Sequence, residues 1–142
     1  MTRNLFKGSL ILFLFLNFFT ILFAENNYFQ EGERLFNLKK YEDSKLKFEK
    51  DIVFNPKSEK SYLYLAKIFN KEKNIYLEEN NLNTVILLNP KNEEAIYLLA
   101  LLNIKKSNFS KAEELIGIFK DVCNNFCSSQ EKLLKELKIS SK

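Results

Sequence analysis

The stretch FNPKSEKSYLYLAKIFNKEKNIYLEENNLNTVILLNPKNEEAIYLLA, residues 54–100, decides the fold. Asn55-Pro56 near its start recurs as Asn89-Pro90 near its end, 34 residues later. The same interval aligns Tyr28, Tyr62 and Ile96, and then Leu35, Phe69 and Asn103. A column that is always small holds Gly32, Ala66 and Ala100. Further columns hold Tyr41, Ile75 and Phe109, then Ser44, Glu78 and Ala112, then Phe48, Leu82 and Ile116. A fixed period of this length marks stacked supersecondary units, each with a face it cannot bury alone. Pro56 and Pro90 end a helix by removing a backbone donor, and Ser58 and Asn92 are placed to cap the next one. Glu93 and Glu94 follow in its first turn, where the helix dipole favours negative charge.

Composition supports helices. The 142 residues include only 3 Gly and 2 Pro, too few for a fold built on many tight turns. Hydrophobic residues make up 46% and charged residues 28%, enough apolar surface for a packed core.

The repeat resembles the tetratricopeptide (TPR) family over residues 25–124. The family's unit has the same length, with small and aromatic residues along its first helix and a Pro closing its second. The resemblance implies an all-α, TPR-type solenoid of helical hairpins, with repeats at 25–58, 59–92 and 93–124. Small residues at Gly32, Ala66 and Ala100 would let the paired helices approach, with Tyr41 and Phe48 filling the space between repeats. Leu at position 66 or 100 should overpack that contact, whereas Ala at position 32 is expected to be mild because it favours helix. Three residues depart from the family pattern: Glu78 and Asn103 stand in columns that are normally small and large apolar, and Asn124 replaces the third Pro. The later repeats are therefore expected to be less regular.

Residues 125–142 read as a C-terminal cap helix. Ser128 and Glu131 form a capping box, and Leu133, Leu134 and Leu137 lie on one face. Such a helix solvates the end of an array; the other reading is an amphipathic helix for a partner. Cys123 and Cys127, the only cysteines, flank the preceding turn. Outside the cytoplasm they could form a disulfide; otherwise they are small, partly buried thiols.

In TPR arrays the first helix of each repeat lines a concave groove. The matching positions here are Phe29 and Glu33, Leu63 and Lys67, and Tyr97 and Leu101, with Lys60, Asn70, Lys71 and Lys105 beside them. Phe29, Leu63 and Tyr97 would form an apolar stripe across the groove, or else Leu63 and Tyr97 complete the core. A peptide with apolar anchors and some acidic residues would suit such a groove. The chaperone-tail clamp of some family members is not expected, because Phe29, Glu33 and Glu94 occupy its places.

The sequence has no His, which removes Ser-His-Asp, Cys-His and His-metal chemistry. Two cysteines cannot supply a zinc site alone. No catalytic residue, metal or cofactor is expected, and the chain reads as a non-enzyme. The formal net charge is +4; Arg3 and Lys7 carry two of these charges, leaving +2 on the rest. That balance does not suggest nucleic acid.

Residues 1–24 read as an address. Gly8 to Ala24 carries no charge and follows a basic start. This describes a secretory signal cleaved after Ala24. The rival is an uncleaved anchor: as a helix the stretch spans about 26 Å, short of the ~30 Å hydrocarbon core, and Leu5 and Phe6 would nearly close the gap. Membrane contact would then run through residues 5–24. The expected protein is exported, periplasmic or held at the outer face of the cytoplasmic membrane. It would bind a protein partner in its groove; the alternative is an anchored structural protein whose repeats self-associate.

Overall fold

The computed structural model describes residues 27–141, so the proposed signal or anchor lies outside the described residues. Helices α1 (Tyr28–Asn37) and α2 (Tyr41–Phe54) form the first hairpin. Helices α3 (Glu59–Lys71) and α4 (Ile75–Leu88) form the second, and α5 (Glu93–Lys105) and α6 (Phe109–Val122) the third. A 3-10 turn at Cys127–Ser129 leads into α7 (Gln130–Ser140), which rests on both α5 and α6. No strand occurs among the described residues. The architecture is an all-α solenoid of three helical hairpins with a cap helix.

The small column explains the close approach within each hairpin. Ala66 and Ala100 are buried at 1% and 0% exposure. At Gly32 the ring of Phe48 from α2 lies directly against the backbone. Beside it, the Ser44 hydroxyl donates to the Gly32 carbonyl at 2.8 Å. Phe48 is fully buried and stacks on Tyr64 of the next hairpin, with ring centroids 4.9 Å apart. Burying a side chain of this size stabilises the fold by about 1.5–3 kcal/mol. One Phe therefore joins both helices of the first repeat to the second.

Each hairpin turns through one left-handed residue. Lys39, Lys73 and Ser107 have φ of 60°, 58° and 58°, and they too are 34 apart. In each turn the following N–H reaches back five residues: Lys40 to the Leu35 carbonyl, Asn74 to Phe69 and Asn108 to Asn103. This is the Schellman closure, which usually recruits Gly. Here the hydrogen bonds and packing hold non-Gly residues in it.

Glutamates at the helix starts tie successive units together. Glu59 accepts from the side chains of Asn89 at 3.1 Å and Asn92 at 3.4 Å. Glu93, one repeat later, accepts the backbone N–H groups of Asn124, Asn125 and Phe126 at 2.9, 3.4 and 2.8 Å. Those N–H groups, the Asn124 bond foremost, hold the Glu93 carboxyl below its usual range, against the opposing effect of burial. Charge pairs repeat as well, with their signs exchanged. Lys45 pairs with Glu72 at 2.8 Å, while Glu79 and Lys106, in the corresponding places, pair at 2.7 Å.

The departures in the sequence are absorbed locally. Asn103, 2% exposed, donates to the Leu99 carbonyl at 2.9 Å and accepts from the Asn108 amide at 3.1 Å. Two expected caps differ from the structure. The Ser58 hydroxyl donates to Ser61 instead of accepting from the backbone, and Ser61 in turn bonds the buried Asp51 carboxylate. The Ser128–Glu131 capping box does not form, because Ser128 sits inside the 3-10 turn and Ser129 takes the N-cap place without a side-chain bond. Asn92 does cap α5, accepting the Ala95 N–H at 2.9 Å.

Candidate functional site

The first helices of the repeats present a face with two adjoining pockets. The first, about 360 Å³, lies between Phe36 of α1, Lys67 and Lys71 of α3, and Glu94 and Leu98 of α5. The second, about 320 Å³, is bounded by Leu98, Leu101 and Lys105 of α5 and by Glu136 and Ser140 of the cap helix. Asn70, Glu78 and Leu98 belong to both pockets and form the wall between them. The cap helix therefore supplies one side of this groove as well as solvating the end of the array.

The structure distributes the residues singled out by sequence across different roles. Lys67 lines the first pocket, pairs with Glu94 at 2.7 Å and sits 4.9 Å from the Tyr64 ring centre. Lys71 lines the same pocket, its ammonium 5.0 Å from the centre of Tyr41. Leu101 lines the second pocket. Leu63 and Tyr97 are core residues, each 8% exposed, so the apolar stripe through Phe29, Leu63 and Tyr97 is not an open surface. Phe29 packs against Phe48 and Tyr64, at 5.9 Å from each. Lys60 covers Phe29 at 5.9 Å and lies at a separate, polar recess near Ser58, away from the two groove pockets. Glu33 accepts the Tyr64 hydroxyl at 2.7 Å; burial first, and then this bond, push the Tyr64 pKa up to about 12.

The physical reason is a rotation of one residue. Leu98, not Tyr97, faces the groove, and Tyr64 takes the equivalent place one repeat earlier. One step along a helix turns a side chain by about 100°, enough to move it from groove to core. Phe36, Glu78, Leu98 and Glu136 were not among the candidates drawn from sequence. The column holding Gln30, Tyr64 and Leu98 is the signal that would have found Leu98.

Glu78 is the least expected of these. It comes from the first turn of α4 and is 4% exposed. Its Oε1 accepts from the Asn70 amide at 2.8 Å. Burial raises its carboxyl pKa, while the Asn70 bond and the nearby Lys105 charge oppose that shift.

Cys123 and Cys127 are joined in a disulfide, with Cα atoms 5.1 Å apart. The bond closes the turn that Glu93 holds, and Phe126 within it packs edge-on against Tyr97 at 5.4 Å. This turn carries the chain from α6 into the cap helix.

Comparison with solved structures fits the repeat geometry. The first TPR of Spaghetti (RPAP3), bound to the HSP90 peptide SRMEEVD, superposes with a TM-score of 0.72 at 15% identity, covering 81% of this chain and 91% of that one. The Yersinia enterocolitica type III secretion chaperone SycD, in complex with a peptide of the translocator YopD, gives 0.72 at 14% identity, covering 81% and 90%. The TPR2B domain of yeast Sti1, in a pHsp70 complex, gives 0.70 at 18%, covering 81% and 94%. This chain has the TPR fold. No family model matches the sequence, and no curated protein does either. Among the described residues, no group of three or more His, Cys, Asp or Glu is placed to hold a metal, and no helix is long and apolar enough to cross a membrane.

Proposed function

We propose that this TPR chain is a non-catalytic adaptor that binds a segment of a partner protein in its concave groove, and that it does so outside the cytoplasm. One observation carries the binding reading. Two pockets adjoin on the face of the first helices, with apolar walls from Phe36, Leu98 and Leu101 and lysines at positions 67, 71 and 105. Apolar recesses accept anchor side chains, and Lys71 and Lys105 at their borders offer partners to acidic residues of the segment, while Lys67 is already paired with Glu94. The similar folds include TPR domains holding HSP90 and YopD peptides, which supports the same use of the face here. The chain has no His, so Ser-His-Asp, Cys-His and His-metal chemistry do not compete with this reading.

The export reading rests on Arg3, Lys7 and the uncharged run from Gly8 to Ala24. The intact mass of the chain recovered from its native host separates the two forms. A mass starting at Glu25 means a cleaved signal, and one retaining Met1 means an anchor.

The groove is tested by capture of partners from envelope extract. Leu98→Ser and Leu101→Ser should weaken capture while helix content is kept, because both residues are only half-buried. Lys71→Glu and Lys105→Glu should slow association and flatten its salt dependence. If the folded variants retain every partner of the unaltered chain, the groove is not the binding surface.

A further inference from the structure

We propose that Glu78 is a specificity residue of the groove, accepting a hydrogen bond from a neutral Ser, Thr, Asn or Gln side chain of the bound segment, flanked by apolar side chains in the two pockets. The proposal rests on the groove reading above.

Three observations carry it. First, Glu78 is almost wholly buried and still belongs to the lining of both pockets, in the wall that divides them. Secondly, only its Oε1 is bonded, to Asn70; Oε2 has no donor among the described residues, and it is not sealed from solvent either, since no fully buried side-chain oxygen lacks a partner there. Thirdly, the charges around it are already balanced: Lys67, Lys71 and Lys105 border the pockets together with Glu94 and Glu136, and Lys67 is paired with Glu94 at 2.7 Å.

The chemistry of the ligand follows. A segment lying across both pockets displaces the water that solvates Oε2. A carboxyl oxygen cut off from water without a donor carries the full desolvation penalty. A ligand that brings a donor to the dividing wall avoids that penalty. Glu78 is 4% exposed, so a ligand cation would have to shed its water to reach Oε2, at a cost of several kcal/mol, whereas a hydroxyl or amide gives up far less. Sites built to hydrogen-bond a ligand group reject the analogue that lacks it more strongly than apolar pockets reject a missing methylene.

The test uses the full chain purified in mild detergent and a displayed library of random dodecapeptides. Enriched peptides should share two apolar positions flanking a Ser, Thr, Asn or Gln. In fluorescence anisotropy with a synthetic enriched peptide, replacing that central residue by Ala should weaken binding roughly tenfold. On Glu78→Ala and on the similarly sized Glu78→Met, the difference between the two peptides should disappear. Either variant that keeps its helical signal suffices for the comparison. Enriched peptides without a central donor, or with Lys or Arg there, overturn the role given to Glu78 and leave the groove standing. So does a donor preference that survives in the folded variants. Failure to enrich any peptide overturns the groove reading and this proposal with it.

Discussion

Gly32→Ala probes the tightest contact in the fold. A Cβ on Gly32 would lie 2.8 Å from Cε1, 2.9 Å from Cδ1 and 3.1 Å from Cζ of Phe48. Carbon atoms attract best at about 3.5–4.0 Å, so the ring would have to move. It has little freedom to do so: Phe48 is fully buried, stacked on Tyr64 at 4.9 Å and flanked by Phe29 at 5.9 Å. Overpacking of this kind costs about 1–3 kcal/mol. Against it stands the helix preference of Ala over Gly, about 0.5–1 kcal/mol. The net expectation is a loss of up to about 2.5 kcal/mol, which at about 4 °C per kcal/mol lowers Tm by up to about 10 °C. Gly117→Ala is the control. It sits within α6 with nothing inside 4 Å of the added Cβ, so the helix term acts alone and Tm should rise by about 2–4 °C. Thermal melts followed by circular dichroism read both. If Gly32→Ala gains stability as Gly117→Ala does, the Phe48 contact is not as described, and the sequence expectation of a mild effect holds.

Ala100→Leu should overpack the third hairpin by about 1–3 kcal/mol, since Ala100 is fully buried, and denaturant melts should show a lower midpoint. Lys73→Gly should stabilise the second hairpin by up to about 1 kcal/mol, because Gly adopts its φ of 58° without a Cβ penalty; no gain would mean that the turn relaxes in solution. Glu78 binds its proton more tightly when folded than unfolded, so folding stability falls as pH rises from the usual carboxylate value of 4.5 towards the raised one. Glu78→Gln removes that loss, and its Tm advantage over the parent should be larger near neutral pH than in acid; equal advantage at both would mean that the carboxyl is not held in a dehydrating place. In protein purified under oxidising conditions Cys123 and Cys127 should resist thiol labelling until reductant is added, and full labelling without reductant would refute the bond.

The period of the sequence determined the hairpins. A 34-residue repeat of small, aromatic and Pro positions leaves little choice, because each column recurs in the same environment and errors at one repeat are corrected by the others. Gly32, Ala66 and Ala100 were therefore legible as close contacts, and Phe48 as a filler between repeats. The left-handed turns at Lys39, Lys73 and Ser107 were not, because no Gly marks them; only their shared column gives them away.

The groove was decided by tertiary structure. Whether Tyr97 or Leu98 faces outward depends on how far α5 is rotated against α3 and α6, and a single residue of register separates core from surface. Glu78 shows the same limit more sharply. In the sequence it is a charged residue in a small column; only packing puts its carboxyl beside Asn70, in the wall between two pockets. The cap helix behaves likewise, its leucines readable as an apolar face but its place along the groove set by the Glu93-held turn before it. Periodicity reports which residues share an environment. What that environment is depends on contacts between helices far apart in the chain, and those exist only once the repeats have stacked.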